Sequence, residues 1–194
     1  MYNPSHANSD FPETGRAADG TAVSTPARTE EVEGAWTVLT VPFFHQQTPD
    51  TCAAACLRMA VAFRFPRNPV AESALAKRCG CIPTLGCLSG DVFLTAQRYT
   101  LPAAWLNDAS IEQDIEDALG AGNPVLANVQ LRALSYYLTG TFVPAAWHSI
   151  LIVGLDSSAV YVHDPDTHGG PNRVADRAAF FLNWVQREYS AYRV

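Results

Sequence analysis

The period of the apolar residues changes about halfway along this chain of 194 residues. Between Cys52 and Phe63 they recur at i, i+4, i+7, i+8 and i+11, which places them on one side of a helix. After residue 123, the segments PVLANVQL, HSILIVGL and AVYVHD predict strands. Helices followed by strands, without regular alternation, favour an α+β fold in which a helical half packs on an antiparallel sheet.

Local signals bound the predicted elements. The segment WTVLTVPFF predicts an edge strand that begins at Trp36. The turn QQTPDT precedes a helix over 52–64, for which Asp50 or Thr51 is the predicted cap. The segment DRAAFFLNWVQREY predicts a last amphipathic helix. Three more helices are expected near 69–78 after Asn68, near 90–99 after Ser89, and near 111–120 after Ser110 with Gln113.

Residues 1–35 differ in composition from the rest of the chain. They are rich in Ser, Thr, Ala, Gly and Pro, so the burial of apolar surface cannot offset the entropy lost on ordering. Six acidic residues against two arginines give this segment −4 of the net charge of −6. We therefore predict a disordered acidic tail at 1–35 and one folded domain at 36–194.

Composition also excludes some classes of protein. The chain contains one lysine and no basic cluster, so we expect no nucleic-acid partner. No apolar run reaches the length of a membrane span, and the N-terminus lacks the charged-then-apolar order of a secretory signal. The expected location is the cytoplasm, and delivery outside the cell without a standard signal peptide stays open.

Five cysteines form an odd set, which suits a reducing compartment better than a framework of disulfides. Cys79, Cys81 and Cys87 share the loop CGCIPTLGCLSG, and thiolates can bind zinc. Their spacing lacks the paired C-x-x-C of structural zinc sites. We therefore expect a loop of free thiols and predict no metal and no cofactor.

Cys52 stands at the predicted start of a helix, where unpaired backbone N–H groups and the helix dipole stabilise a thiolate. Cys56, one turn later on the same side, lies deeper in the helix and is expected to pack. A cysteine in an alanine-rich helix is by default a small buried apolar residue. The interpretation of Cys52 as a nucleophile therefore depends on finding a base.

His148 is the histidine best placed to be that base, because it opens a strand that turns at LDSSA and returns as VYVHD to Asp164. The midpoint of 148 and 164 is Asp156, so a hairpin of symmetric register sets His148 directly opposite Asp164. Opposed residues have Cβ atoms roughly 4.5–5.5 Å apart, close enough for a carboxylate to orient an imidazole. Alternation along the strand sends His163 to the other face.

Gln46 lies six residues before Cys52. A side-chain amide at this position could join the backbone N–H of Cys52 in an oxyanion hole, which stabilises the charge that develops in acyl transfer. Gln47 is the rival for this role, and the sequence leaves open that Gln46 is a solvated loop residue.

The motifs VPFFHQQTPDTC, GNPVLANVQL and HSILIVGLDSSAVYVHDPD follow one another in this chain. In this order they resemble the papain-like cysteine peptidases that process bacteriocin leaders at double-glycine sites. The resemblance covers about 41–184 and implies a papain-like fold. It also implies four site residues: Gln46 as oxyanion donor, Cys52 as nucleophile, His148 as base and Asp164 as the residue that orients the base.

The same resemblance implies a peptide or protein substrate, such as a leader peptide cut after Gly-Gly. Many members of that family are fused to a membrane ABC transporter, so a separate transporter is an expected partner. The segment CLRM also resembles papain-like effector proteases of plant-pathogenic bacteria, which leaves the substrate open.

We therefore expect a cysteine peptidase that acts through a thioester acyl-enzyme. Two alternatives remain: an acyltransferase or amide-forming enzyme with the same triad, and a non-catalytic peptide-binding module. A ligated product in the presence of added amines would identify the first alternative. Slow alkylation of Cys52 at about pH 5–6 would identify the second.

Overall fold

The computed structural model describes residues 29–30, 38–131, 134, 136, 146–166, 169–187 and 190–194. Within the predicted tail, Thr29–Glu30 form a two-residue strand, β1, which pairs with β2 at Val38–Leu39. The sequence patterns did not predict β1. Residues 1–28 and 31–37 lie outside the described part, so the disorder of the tail stays a prediction.

The helices lie before residue 121, except for one near the end of the chain, and each overlaps a predicted helix. Residues 188–189 of the last predicted helix lie outside the described residues. A short 3₁₀ helix, Asp108–Ser110, precedes α4. The helices are α1 Cys52–Arg64, α2 Glu72–Arg78, α3 Ser89–Arg98, α4 Ile111–Gly120 and α5 Arg177–Arg187.

Thr51 and Ser110, two of the predicted helix caps, make no capping hydrogen bond, because carboxylates accept from their hydroxyls. Thr51 precedes α1, but its hydroxyl lies 2.6 Å from the carboxylate of Glu72 instead of bonding the helix backbone. The hydroxyl of Ser110 likewise donates to Asp114. Hydrogen bonds to a charged acceptor are about twice as strong as neutral ones, so the carboxylate wins.

One antiparallel sheet contains all the described strands. Its central strand, β5, pairs with β2, β4 and β6; β8 and β3 continue the sheet beyond β4, and β7 continues it beyond β6. Since β2 has β1 as a further neighbour, its predicted place at the edge of the sheet is wrong. The remaining strands are β3 Ala104–Trp105, β4 Val125–Gln130, β5 Trp147–Leu155, β6 Ala159–Asp164, β7 Gly170–Asp176 and β8 Ser190–Arg193.

The hairpin of β5 and β6 does not have the predicted symmetric register. Leu155 pairs with Val160 and Leu151 with His163, and the register shifts between Ile152 and Gly154. The carboxylate of Asp156 is the physical reason. It accepts hydrogen bonds from the N–H groups of residues 158 and 159, so the turn lies after Asp156 and is not centred on it. The prediction that His148 and Asp164 are directly opposed is therefore wrong.

The core lies between the sheet and the helices, and α1 is its central helix. Ala53, Ala54 and Ala55 are at most 4 % exposed, and Cys56 is completely buried. The thiol of Cys56 lies 3.4 Å from the carbonyl oxygen of Ser149 in β5. The narrow alanine surface thus lets the first turns of α1 approach β5 closely. In the described part of the chain, no helix has the length and apolar character needed to cross a membrane.

Candidate active site

Cys52, the first residue of α1, contacts His148, the second residue of β5, at the centre of the candidate site. The side chain of Cys52, which is half-buried, is hydrogen-bonded to the side chain of His148 and also receives a hydrogen bond from the backbone N–H of Ser149. His148 is 7 % exposed. The predicted nucleophile and base are therefore in contact.

His148 bridges Cys52 and Asp164. Its Nε2 atom lies 2.7 Å from Oδ1 of Asp164, which leaves Nδ1 for the thiol. In the observed register Asp164 lies across from Ile150, two residues from His148 and therefore on the same face. Such diagonal neighbours are about 7–8 Å apart at Cα, within reach of an imidazole and a carboxylate. The contact was predicted correctly from a register that was wrong.

Asp164 is completely buried, and three donors hold its carboxylate. Besides the His148 ring, Oδ1 accepts a hydrogen bond of 3.0 Å from the N–H of Asp166, and Oδ2 accepts one of 2.9 Å from the hydroxyl of Tyr136. Both oxygens are therefore fixed, so the carboxylate holds the imidazole ring in one orientation. Tyr136 was not predicted, because it lies far from the hairpin in sequence.

The electrostatics favour a charged thiolate and imidazolium. Burial by itself raises the pKa of Cys52, but the hydrogen bond and charge of His148 and the bond from Ser149 lower it below its ordinary value. Burial by itself lowers the pKa of His148, but the bonds to Asp164 and Cys52 raise it to about 10. The shift of His148 keeps a proton on the ring at neutral pH, and the shift of Cys52 favours the negative charge on the sulfur.

Gln46 is held close to the same site. Its N–H donates a 2.9 Å hydrogen bond to the carbonyl of Pro165, the residue after Asp164. Its side-chain Nε2 donates to the carbonyl of Thr48 at 3.1 Å, and an amide nitrogen carries a second hydrogen. Gln46 and Gln47 both line a cleft of 310 Å³ with His148. The structure thus brings all four predicted site residues to one region.

A chain of polar side chains behind the thiol was missed. The hydroxyl of Ser149 donates to Oδ1 of Asn128 at 2.6 Å, and the amide of Asn128 donates to the hydroxyl of Ser89. Ser149 and Asn128 are paired residues of β5 and β4. A lone asparagine in the apolar segment PVLANVQL was the available signal, since a polar group in a buried strand needs a partner.

The cysteine-rich loop differs from the prediction of free thiols. Cys81 and Cys87 form a disulfide, whereas Cys79 is free and buried. Gly80 and Gly86 have φ of 62° and 77°, a conformation that closes the loop and brings the two sulfurs together. Among the described residues, no group of three or more His, Cys, Asp or Glu could hold a metal ion.

We expect Cys52 to react with iodoacetamide at pH 6 much faster than Cys79, whose pKa is raised to about 11 by burial. In H148A, only burial and Ser149 act on the thiol, so its pKa rises and labelling of Cys52 at pH 6 falls by roughly tenfold or more. Mass spectrometry of tryptic peptides measures both rates. H45A, which removes an exposed histidine, is the matched control. Equal labelling in H148A and H45A would contradict the ion pair.

Gly169 packs directly on Asp164. A Cβ atom at this position would lie 2.5 Å from both Cγ and the backbone oxygen of Asp164, too close for either to stay in place. We expect G169A to displace the carboxylate and to lower kcat for peptide cleavage roughly 10- to 100-fold. G120A is the control, because nothing lies within 4 Å of a Cβ atom at Gly120. Equal kcat values for the two variants would show that the position of Asp164 is not important.

Comparisons with known proteins agree with this geometry. The model of the Peptidase_C39 like family matches residues 38–192. None of the curated proteins matches the sequence. One solved structure, a C39-like peptidase from Bacillus anthracis, has a TM-score of 0.61 at 20 % identity and covers 80 % of this chain and 94 % of its own.

Two further solved structures share the fold. A double glycine motif protease from an AMS/PCAT transporter, in complex with its leader peptide, has a TM-score of 0.54 at 15 % identity, with 87 % of this chain and 95 % of that chain covered. The peptidase domain of Streptococcus ComA, a bi-functional ABC transporter of a quorum sensing pathway, has a TM-score of 0.51 at 13 % identity, with 78 % and 96 % covered. The resemblance found in the motifs is thereby confirmed: the chain has a papain-like α+β fold, belongs to the Peptidase_C39 like family and is a cysteine peptidase.

Proposed function

We propose that Cys52, His148 and Asp164 are the catalytic triad of this peptidase, and that Gln46 is its oxyanion donor. The observation that carries the proposal is the line of hydrogen bonds from the Cys52 thiol through the His148 ring to a fully buried carboxylate. His148, the middle residue of this chain of hydrogen bonds, borders a cleft that Gln46 also borders. A peptide carbonyl in the cleft would lie beside the Gln46 amide and beside His148, the partner of the Cys52 thiol.

In the acylation step, the thiolate of Cys52 attacks the peptide carbonyl and its π electrons move to the oxygen. The side-chain amide of Gln46 and the N–H of Cys52 stabilise this oxyanion; the first N–H groups of a helix have no partner within it. The oxyanion then collapses to a carbonyl, the C–N bond breaks as the His148 imidazolium gives its proton to the leaving amine, and a thioester remains. Asp164 keeps the ring in the required tautomer.

In the deacylation step, neutral His148 takes a proton from water, and the resulting hydroxide attacks the thioester. The second oxyanion collapses, the C–S bond breaks, and Cys52 leaves as a thiolate. The product acid departs, and the thiolate and imidazolium are restored. An acyltransferase would use an amine in place of water, and no described contact favours one.

The proposed substrate is a leader peptide with small residues before the cut, Gly-Gly or Gly-Ala. A cleft of 310 Å³ is at the lower end of ligand pockets, so it leaves little room for side chains beside a peptide backbone. Trp147 lines the cleft beside His148 and further restricts it. The double-glycine protease solved with its leader peptide supports this choice by its shared fold.

We also propose a separate ABC transporter as a partner, because two of the structural relatives belong to transporters. The cytoplasmic location stays a prediction. The Cys81–Cys87 disulfide is a type of bond that persists in oxidising compartments, and it favours the delivery outside the cell that the sequence left open.

The roles of the two glutamines can be separated by a matched pair of variants. We expect Q46A to lower kcat for a double-glycine peptide by roughly 10²–10³-fold, the effect of losing one oxyanion donor. Q47A should stay close to wild type, because its side chain is exposed and the bond to Glu72 comes from its backbone N–H. Cleavage is followed by mass spectrometry, which also identifies the cut bond.

C52A is the negative control for this experiment. If C52A cleaves as well as wild type, the triad is wrong. If wild type cuts generic peptides as fast as the double-glycine peptide, the proposed substrate class is wrong. If Q47A loses more activity than Q46A, the oxyanion donor is Gln47.

A further inference from the structure

A buried carboxylate lies next to the segment that joins the two proposed oxyanion donors, and the mechanism above does not use it. Glu72, the first residue of α2, is 0 % exposed. Burying a carboxylate is costly unless donors satisfy it, so its bonds show what it holds in place.

Both donors to Glu72 come from the turn between Gln46 and Cys52. Its Oε1 atom accepts a 2.7 Å hydrogen bond from the N–H of Gln47 and a 2.6 Å hydrogen bond from the hydroxyl of Thr51. These lengths are typical of bonds to an ionised acceptor. The other oxygen, Oε2, is buried with no hydrogen-bond partner among the described residues.

The two hydrogen bonds to Glu72 hold the turn at the residues that adjoin the two proposed oxyanion donors. Gln47 follows Gln46, whose side chain carries one donor, and Thr51 precedes Cys52, whose N–H is the other. The turn also has internal bonds, from the N–H of Thr48 to the hydroxyl of Thr51 and from the N–H of Thr51 to the carbonyl of Thr48. Those internal bonds close the turn but do not attach it to the rest of the protein.

We propose that Glu72 is a positioning residue for the oxyanion hole: by bonding both ends of the turn, it fixes the separation and direction of the Gln46 amide and the Cys52 N–H. This inference rests on the proposed function of Gln46. Glu72 acts through other residues and does not touch the substrate. Because the bonds that lower the pKa of Cys52 come from His148 and Ser149 on β5, loss of Glu72 should leave the thiolate unchanged.

The test measures kcat and KM for cleavage of a double-glycine peptide, together with the rate of alkylation of Cys52 by iodoacetamide at pH 6. We expect E72A to lower kcat roughly 10- to 100-fold, because a displacement of about 1 Å in an active site has this effect. KM and the alkylation rate should change by less than about threefold. E72Q keeps an oxygen for both hydrogen bonds and should restore kcat to near the wild-type value.

A double-mutant cycle with Q46A tests whether Glu72 acts through the amide. The variant Q46A/E72A should be little slower than Q46A, because the amide that Glu72 helps to position is already absent. Additive losses would overturn the proposal, as would an alkylation rate that falls together with kcat, or an equal loss of kcat in E72Q. Unchanged kcat in Q46A would instead show that the proposed oxyanion donor is wrong.

Variants of Thr51 provide a second test of the proposal if E72A does not fold. T51V removes, at nearly constant volume, the hydroxyl that donates to Glu72 and accepts from the N–H of Thr48, whereas T51S keeps both bonds. We expect T51V to have lower kcat than T51S at the same alkylation rate, and T51V/E72Q to be little slower than T51V, because the bond between Thr51 and Glu72 is already absent. Equal kcat values in T51V and T51S would overturn the proposal.

Discussion

The close approach of α1 to β5 is the constraint on which the site depends. Alanines on the first turn of α1 let the helix lie against the sheet, and the thiol of Cys56 reaches the backbone of Ser149. One turn earlier, the same helix face brings Cys52 to His148 and Ser149. Larger side chains at 53–55 would separate helix and strand, and overpacking of a dense core costs about 1–3 kcal/mol. The identity of these alanines therefore sets the distance between Cys52 and His148.

The buried ionisable groups of the site, which belong to Cys52, His148 and Asp164, stabilise one another's charged forms. A thiolate or a carboxylate placed there alone would shift its pKa upward, because burial disfavours the charged form. The His148 ring lies between Cys52 and Asp164 and lowers the pKa of both. Asp164 has two further donors, so it remains ionised without exposure to water. The result is a thiol at Cys52 whose pKa is lowered although much of its side chain is buried.

The segment 41–51 is held by three different parts of the fold. His163 donates to the carbonyl of Val41 at 2.9 Å and accepts from the N–H of Asn172, so its ring is a neutral tautomer on the far side of β6. Burial has the largest effect on this ring; it lowers the pKa of His163, which agrees with the neutral state. Pro165 holds Gln46, and Glu72 holds the turn that follows. Gln46 is thus attached to the end of β6, and the turn that joins it to Cys52 is attached to α2, although no regular element contains Gln46 or this turn.

The sequence by itself determined the helices, the strands β2, β4, β5 and β6, and the four residues that come together at the site, because apolar periodicity and the start of a helix are local properties. It also predicted the contact of His148 with Asp164, since a shift of two residues keeps a side chain on the same face of a sheet. It did not predict β1, β3, β7 and β8. The tertiary structure alone decided the register of the hairpin, where Asp156 fixes the turn. It also decided the Cys81–Cys87 bond and the contacts of Tyr136, Asn128 and Glu72. The contacts of these three residues join positions more than twenty residues apart, and their geometry follows from packing, which no local pattern encodes.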